Sequence, residues 1–260
     1  MKTNTSPADK PKEFATNSFI QLRSAILPFL IAFMLSCFGL SPKLLAVVPA
    51  PDGGYPGGNT AEGDNALFSL TTGDFNTAEG FAALLFNTTG SQNTATGVNA
   101  LRNNTTGSSN TANGVNTLFS NTTGFQNTAS GVQALFSNTT GFHNAAAGFQ
   151  ALLSNTTGNH NTADGDNALV HNTTGILNTA VGGHALDQNI TGSSNVALGF
   201  QAGFNITGSG DVCVGENILG VAGESNVTRI RNVGSTAQAN GVFVTVGAGG
   251  KLGFQVSSRR

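Results

Sequence analysis

Asn93-Thr94-Ala95-Thr96-Gly97-Val98-Asn99-Ala100-Leu101-Arg102-Asn103-Asn104-Thr105-Thr106-Gly107-Ser108-Ser109 is followed at once by Asn110-Thr111-Ala112-Asn113-Gly114-Val115-Asn116-Thr117-Leu118. The second stretch restarts the first after 17 residues. The unit N-T-A-x-G-x-x-A-L-x-x-N-T-T-G-x-x runs eight times through positions 59–194. A ninth copy of 16 residues begins at Asn195, and a degenerate tenth of about 15 begins at Asp211. A fixed period decides the architecture before any chemistry is considered.

Counting Asn93 as position one of the unit, five columns are nearly invariant. Asn93, Asn110 and Asn127 stand in the first, and Ala95, Ala112 and Ala129 in the third. Gly97, Gly114 and Gly131 stand in the fifth, Leu101, Leu118 and Leu135 in the ninth, and Gly90, Gly107 and Gly124 in the fifteenth. Two glycines per unit break any helix, and a repeating helix pair needs about 33 residues. A unit half that long suits one coil of a parallel β-solenoid, read here as two short strands and two turns. Stacked coils bring each column over itself every ~4.8 Å. The Asn columns then become side-chain amide ladders, the Gly columns supply positive-φ turns, and Leu forms an internal stack. Ten such coils measure about 45–50 Å at that spacing.

Composition agrees with a polar surface that carries little charge. Of 260 residues 9% are charged, there is no Trp, and there are 35 Gly; ordinary soluble domains carry about 25% charge. Two Cys exclude a disulfide scaffold. The net charge of −2 hides a segregation, because positions 59–225 hold ten acidic groups and Arg102 as their one cation. Such an array cannot neutralise a run of phosphates, so nucleic acid is not an expected partner. Arg229, Arg231, Lys251, Arg259 and Arg260 are too sparse to change that.

Lys2, Lys10, Lys12 and Arg23 precede an apolar run from Ala25 to Leu40, and small residues follow near Ala46 and Ala50. That order reads as an export signal over positions 1–46. The run is shorter than the roughly 20 residues that span a bilayer, and a retained anchor is the alternative. Export implies an extracellular or outer-surface location. Positions 47–58, rich in Pro and Gly, read as a linker or cap. The array follows over 59–225, and a short β-rich segment over 226–260. There, Val242-Phe243-Val244-Thr245-Val246 reads as a strand pairing near Leu252–Val256.

One coil has a thin apolar supply: one Leu and two Ala point inward, against an ordering cost of roughly 1.5 kcal/mol per residue. Burying a Leu returns about 1.5–3 kcal/mol. Two further columns are apolar but variable. The sixth holds Val98, Val115, Val132 and Phe149 but also Asp64 and Asp166, and the tenth holds Phe119 and Phe136 but also Arg102 and Asp187. A private core rarely admits Asp. These columns are therefore expected to face other copies of the chain in a homo-oligomer, a monomer with exposed corner Phe being the alternative.

Asn195-Val196-Ala197-Leu198-Gly199-Phe200-Gln201-Ala202 and Asp211-Val212-Cys213-Val214-Gly215-Glu216-Asn217 resemble the N-S-V-A-I-G-x-x-S repeat of the YadA-like heads of trimeric autotransporter adhesins. The resemblance implies a left-handed parallel β-roll packed side by side as a trimer, an adhesive role, and an extracellular surface ligand whose identity stays open. The longer N-T-A-x-G units resemble variants in bacterial surface and tail-fibre-like proteins. Because the unit exceeds the YadA period, the cross-section and collagen binding of particular adhesins are not carried over. Asn226-Val227-Thr228-Arg229-Ile230-Arg231 and the later Ser257-Ser258-Arg259-Arg260 resemble the lead-in to a self-cleaving intramolecular chaperone. The resemblance covers that lead-in alone, and a shortened relative and a fragment of a longer chain are both open readings of it.

No nucleophile–base set, paired acid site or phosphate-binding loop stands apart from the repeat, so no catalytic residue, cofactor or enzyme activity is expected. His143 and His160 share the seventeenth column and should stack one rung apart, without a third metal ligand. Asp164 and Asp166 lack the G-G-x-G-x-D pattern of calcium-binding rolls. The N-T-T triplets at Asn87, Asn104, Asn121, Asn138, Asn155 and Asn172 match a glycosylation acceptor, yet their phase with the coil explains them structurally. Ice binding by Thr arrays needs Thr at i and i+2 on one face, whereas Thr88-Thr89 are adjacent. The expected function is an exported structural or adhesive surface element. An inert spacer or shaft and an ice-binding solenoid are the alternatives.

Overall fold

The computed structural model describes residues 55–231 and the backbone of two strands at 242–246 and 252–256. The export-signal region, and with it the choice between signal and anchor, lies outside the described residues. Among those described, no helix is long and apolar enough to cross a membrane.

Eleven three-residue strands form one parallel sheet in chain order. They are β1 (Thr60–Glu62), β2 (Thr77–Glu79), β3 (Thr94–Thr96), β4 (Thr111–Asn113), β5 (Thr128–Ser130), β6 (Ala145–Ala147), β7 (Thr162–Asp164), β8 (Thr179–Val181), β9 (Val196–Leu198), β10 (Val212–Val214) and β11 (Thr228–Ile230). The register is the repeat itself: Thr94 pairs with Thr111, Ala95 with Ala112, and Thr96 with Asn113. The architecture is an all-β parallel β-solenoid of about ten coils. The sheet runs past position 225, because β11 pairs in parallel with β10. At the other end Tyr55–Gly58 folds onto the first coil, where Phe75 N–H donates to Gly57 O at 2.8 Å and Asn59 Nδ2 to Pro56 O at 2.7 Å. Two further strands, β12 (Val242–Val246) and β13 (Leu252–Val256), pair antiparallel as the alternation suggests.

Each coil holds one strand, not the expected two. The physical reason is a run of positive φ after the strand. Gly97 has φ 130°, Asn99 57° and Leu101 50°, and Ser109 has 58° just before the next strand. A left-handed Leu costs about 1–2 kcal/mol. That cost is offset because the kinked backbone still bonds to both neighbouring coils. Asn99 N–H donates to Phe81 O (2.9 Å) and Ser109 N–H to Ser91 O (2.9 Å) in the coil before. Leu101 N–H donates to Thr117 O (3.0 Å), Asn103 to Phe119 O (3.1 Å) and Thr105 to Thr122 O (2.9 Å) in the coil after. The fifth column needs glycine for a second reason: a Cβ on Gly114 would stand 2.8 Å from Gly131 O.

The interior follows the invariant columns. Leu101, Leu118 and Leu135 are fully buried, as are Ala95, Ala112 and Ala129. Asn93, Asn110 and Asn127 are equally buried and form the expected ladder. Asn110 Nδ2 donates to Asn93 Oδ1 at 3.1 Å and to Gly124 O at 2.8 Å, while its own backbone N–H reaches Asn93 Oδ1 at 3.0 Å. The N-T-T asparagines build a second ladder from Asn87 to Asn189, with Asn121 Nδ2 on Asn104 Oδ1 at 2.7 Å and on Gly124 O at 3.0 Å. Gly124 O thus accepts from both ladders. Because Asn104, Asn121 and Asn138 have no exposed surface, a glycan cannot sit on them in the folded coil.

Candidate functional site

The repeat projects several regular surfaces outward, and these are the candidate functional faces. The first is the sixth column. Gly97, Gly114 and Gly131 turn the chain directly after each strand, so the next residue faces out. Phe81, Val98, Val115, Val132 and Phe149 occupy that position on five successive coils and are exposed by 41–52%. At ~4.8 Å per rung they make a stripe about 19 Å long. The following rung carries Asp166, whose Oδ1 accepts the Phe149 N–H at 3.2 Å.

The tenth column behaves differently. Phe119 and Phe136 are half-buried and stack on each other, with centroids 5.1 Å apart and planes 7° off parallel. The Arg102 guanidinium lies 5.1 Å from the Phe86 ring centroid and 5.7 Å from that of Phe119, within cation–π range. Polar residues in this column are therefore satisfied within the chain. Asp187 makes the same point: buried, it is held by three side chains. His184 Nδ1 lies 2.8 Å from Oδ2, His171 Nδ1 3.2 Å from Oδ1, and Gln188 Nε2 donates to Oδ1 at 2.6 Å. Arg102 and Asp187 of the tenth column are thus held within the chain, while Phe81, Val98, Val115, Val132 and Phe149 of the sixth are exposed.

The His171–Asp187–His184 cluster escaped sequence reading because its members lie in three columns and two coils. A carboxylate in a mostly apolar column was the available signal, since a buried charge needs partners. His143 and His160 do lie one rung apart, 4.8 Å between centroids with their planes tilted by 49°, beside the stacked pair Phe125 and Phe142 at 4.9 Å. His143 Nε2 lies 2.6 Å from Gln126 Oε1. Among the described residues no group of three or more His, Cys, Asp or Glu side chains is placed to hold a metal ion.

Thr residues divide their roles. Thr105 and Thr122 are half-buried and donate their hydroxyls to Thr122 O and Thr139 O, both at 3.0 Å. Thr106 and Thr123 beside them are exposed. That corner therefore presents one free Thr column. The strand face adds a second, Thr94, Thr111 and Thr128, all exposed. Its i+2 neighbours are Thr96, Asn113 and Ser130, so Thr-x-Thr occurs on this face at Thr94–Thr96 alone among the described strands.

Comparison of the chain with protein-family models, with curated proteins and with solved structures finds no match.

Proposed function

We propose that this protein is an exported structural and adhesive surface element that assembles side by side with its own copies, as a trimer, through the sixth-column stripe. The observation that carries the reading is the run of five outward apolar residues, Phe81, Val98, Val115, Val132 and Phe149, on rungs whose own cores are already closed. An unbroken exposed apolar row on a regular scaffold favours association. A rotation that closes three copies on one axis would cover the row on each of them. Adhesion by such an assembly rests on repetition: weak contacts recur at every rung and in every copy, so avidity exceeds any single contact. The resemblance to adhesin heads supports the same assembly. An inert shaft shares the assembly and lacks the ligand.

Light scattering coupled to size-exclusion chromatography tests the assembly on the full chain. A stable trimer at micromolar concentration is expected. The triple variant Val98→Asp, Val115→Asp, Val132→Asp, whose positions are exposed, is expected to keep its circular dichroism and run as a monomer. A wild-type chain that stays monomeric up to tens of micromolar refutes the proposal.

A further inference from the structure

The outward face of the sheet changes character along the array. From β1 to β7 its two outward positions per strand are polar or small: Thr60 and Glu62, Thr77 and Glu79, Thr94 and Thr96, through Ala145 and Ala147 to Thr162 and Asp164. From β8 onward the second of them is apolar in every strand, and in β9 and β10 the first is as well, while Thr179 and Thr228 keep the first position polar in β8 and β11. Val181 pairs in register with Leu198, Leu198 with Val214, and Val214 with Ile230, a line across four strands. Val196 and Val212 form a second, shorter line beside it. Val181, Leu198 and Ile230 are exposed by 38%, 39% and 47%. A repeat that keeps one line of a face polar or small for seven rungs and apolar for the next four has a local reason to do so, since exposed apolar surface costs about 25 cal/mol per Å² relative to its burial.

The same chain supplies a surface of matching kind. In the β12–β13 ladder Val242 pairs with Val256, Val244 with Phe254 and Val246 with Leu252. Alternate residues of a strand belong to opposite faces, so these six positions share one face, and every one of them is Val, Leu or Phe. The other face holds Phe243, Thr245, Gly253 and Gln255. A two-stranded hairpin is at best marginal in water unless its apolar face is packed. Its strands, five residues each, are about 17 Å long, and four sheet strands span about 14 Å. Positions 232–241 connect Arg231 to Val242, a tether that extends at most about 35–40 Å. The hairpin can therefore reach any part of the apolar strip. Tethering over so short a distance gives an effective concentration on the order of millimolar, well above that of a second copy in micromolar solution.

We propose that the β12–β13 hairpin lays its six-residue apolar face on the strip Val181–Leu198–Val214–Ile230 of its own chain, as a second β-layer closing the carboxyl-terminal end of the solenoid. Two sheets packed face to face with their inner positions apolar are an ordinary solution for such surfaces. The strip is distinct from the sixth-column stripe of the assembly, and the two can be tested separately.

The test uses the full chain in a Cys37→Ser, Cys213→Ala background, the second change restoring the Ala of the other rungs. A single Leu198→Cys is labelled with a maleimide, alone and with Val244→Asp plus Phe254→Asp. The aspartates are expected to raise the Leu198→Cys labelling rate at least tenfold and to leave a Thr94→Cys control unchanged. Equal rates at position 198 overturn the proposal. A second variant pairs Leu198→Cys with Phe254→Cys, Val244→Cys or Val256→Cys in turn under mild oxidation. At least one pair is expected to link within the chain, read by mass spectrometry after digestion. Links found only between two chains, or none from any pair, overturn it.

Discussion

Replacing Asn110 by Ala tests whether the amide ladder, and not the Leu stack alone, holds the coils together. The side chain makes four hydrogen bonds. Its Nδ2 donates to Asn93 Oδ1 (3.1 Å) and Gly124 O (2.8 Å), and its Oδ1 accepts the backbone N–H of Asn127 (3.0 Å) and Asn127 Nδ2 (3.1 Å). The loss is uneven across the partners. Asn93 Oδ1 keeps the Asn110 backbone N–H, Gly124 O keeps Asn121 Nδ2, and Asn127 Nδ2 keeps Gly141 O. The buried Asn127 N–H has no substitute. Four bonds at about 1 kcal/mol each, with one buried donor orphaned, put the cost of Asn110→Ala at about 3–5 kcal/mol. Asn113→Ala is the matched control, because Asn113 is an exposed asparagine three residues away on β4; its cost should stay within about 0.5 kcal/mol.

Urea unfolding followed by far-ultraviolet circular dichroism measures both. In an array whose coils touch only their neighbours, a weak rung in the middle separates two blocks. Asn110→Ala is therefore expected to lower the midpoint and broaden or split the transition. If it matches Asn113→Ala within 1 kcal/mol, the ladder is a passive filler and the accounting above is wrong.

Two further outcomes follow from the last coils. Asp211 takes the ladder position held by Asn in the nine preceding rungs; it is fully buried, its Oδ1 accepts Val227 N–H at 2.8 Å, and its Oδ2 has no partner. Asp211→Asn is expected to stabilise by about 1–3 kcal/mol, seen as a higher melting temperature, whereas a lower one would make the carboxylate a needed counter-charge for Arg229. Burial pushes the Cys213 thiol above its ordinary range, outweighing the nearby Arg229, which lowers it. In a Cys37→Ser chain at pH 8 its reaction with a disulfide reagent should then run at least a hundredfold slower than in urea, and a rate near the unfolded one would show that the tenth coil is open.

The columns that were legible are those whose residue type has one use. Asn110 and Leu118 recur because the interior repeats, and Gly114 recurs because a side chain there meets the Gly131 backbone. The single strand per coil was hidden because Leu101, at φ 50°, has no preference for that conformation. Hydrogen bonds to both adjacent coils impose it, and these depend on neighbours that the local sequence does not name. Asn121 was visible as a column yet equivocal in meaning, since the same triplet serves a ladder or a glycan; burial decides it. Asp187 and Arg102 suggested an open face while their partners, His171, His184, Phe86 and Phe119, stood in another column or another rung. Which columns adjoin at a corner is a property of the closed coil and cannot be counted along the chain.

Near-identical coils raise a problem that their regular columns cannot solve. A slip by one residue is heavily penalised, since it would set Asn110 against Gln92 or Thr94 in place of Asn93 and break the buried amide ladder. A slip by a whole coil is not, because Asn meets Asn and Leu meets Leu again. Repeat chains misassemble along such degenerate routes. The departures from the repeat remove the degeneracy. Arg102 finds two rings, Phe86 and Phe119, only with its own neighbours above and below. Thr117 stands where other coils have Ala, and its hydroxyl donates to Gly131 O at 2.6 Å. Asp187 is buried, and its carboxylate is satisfied where His171 lies in the coil before and His184 in its own. Shifted by one unit it would keep His184 and Gln188 of its own coil and lose His171, a cost of about 1–3 kcal/mol. The regular columns thus set which residue faces inward, and the irregular ones set which coil lies on which.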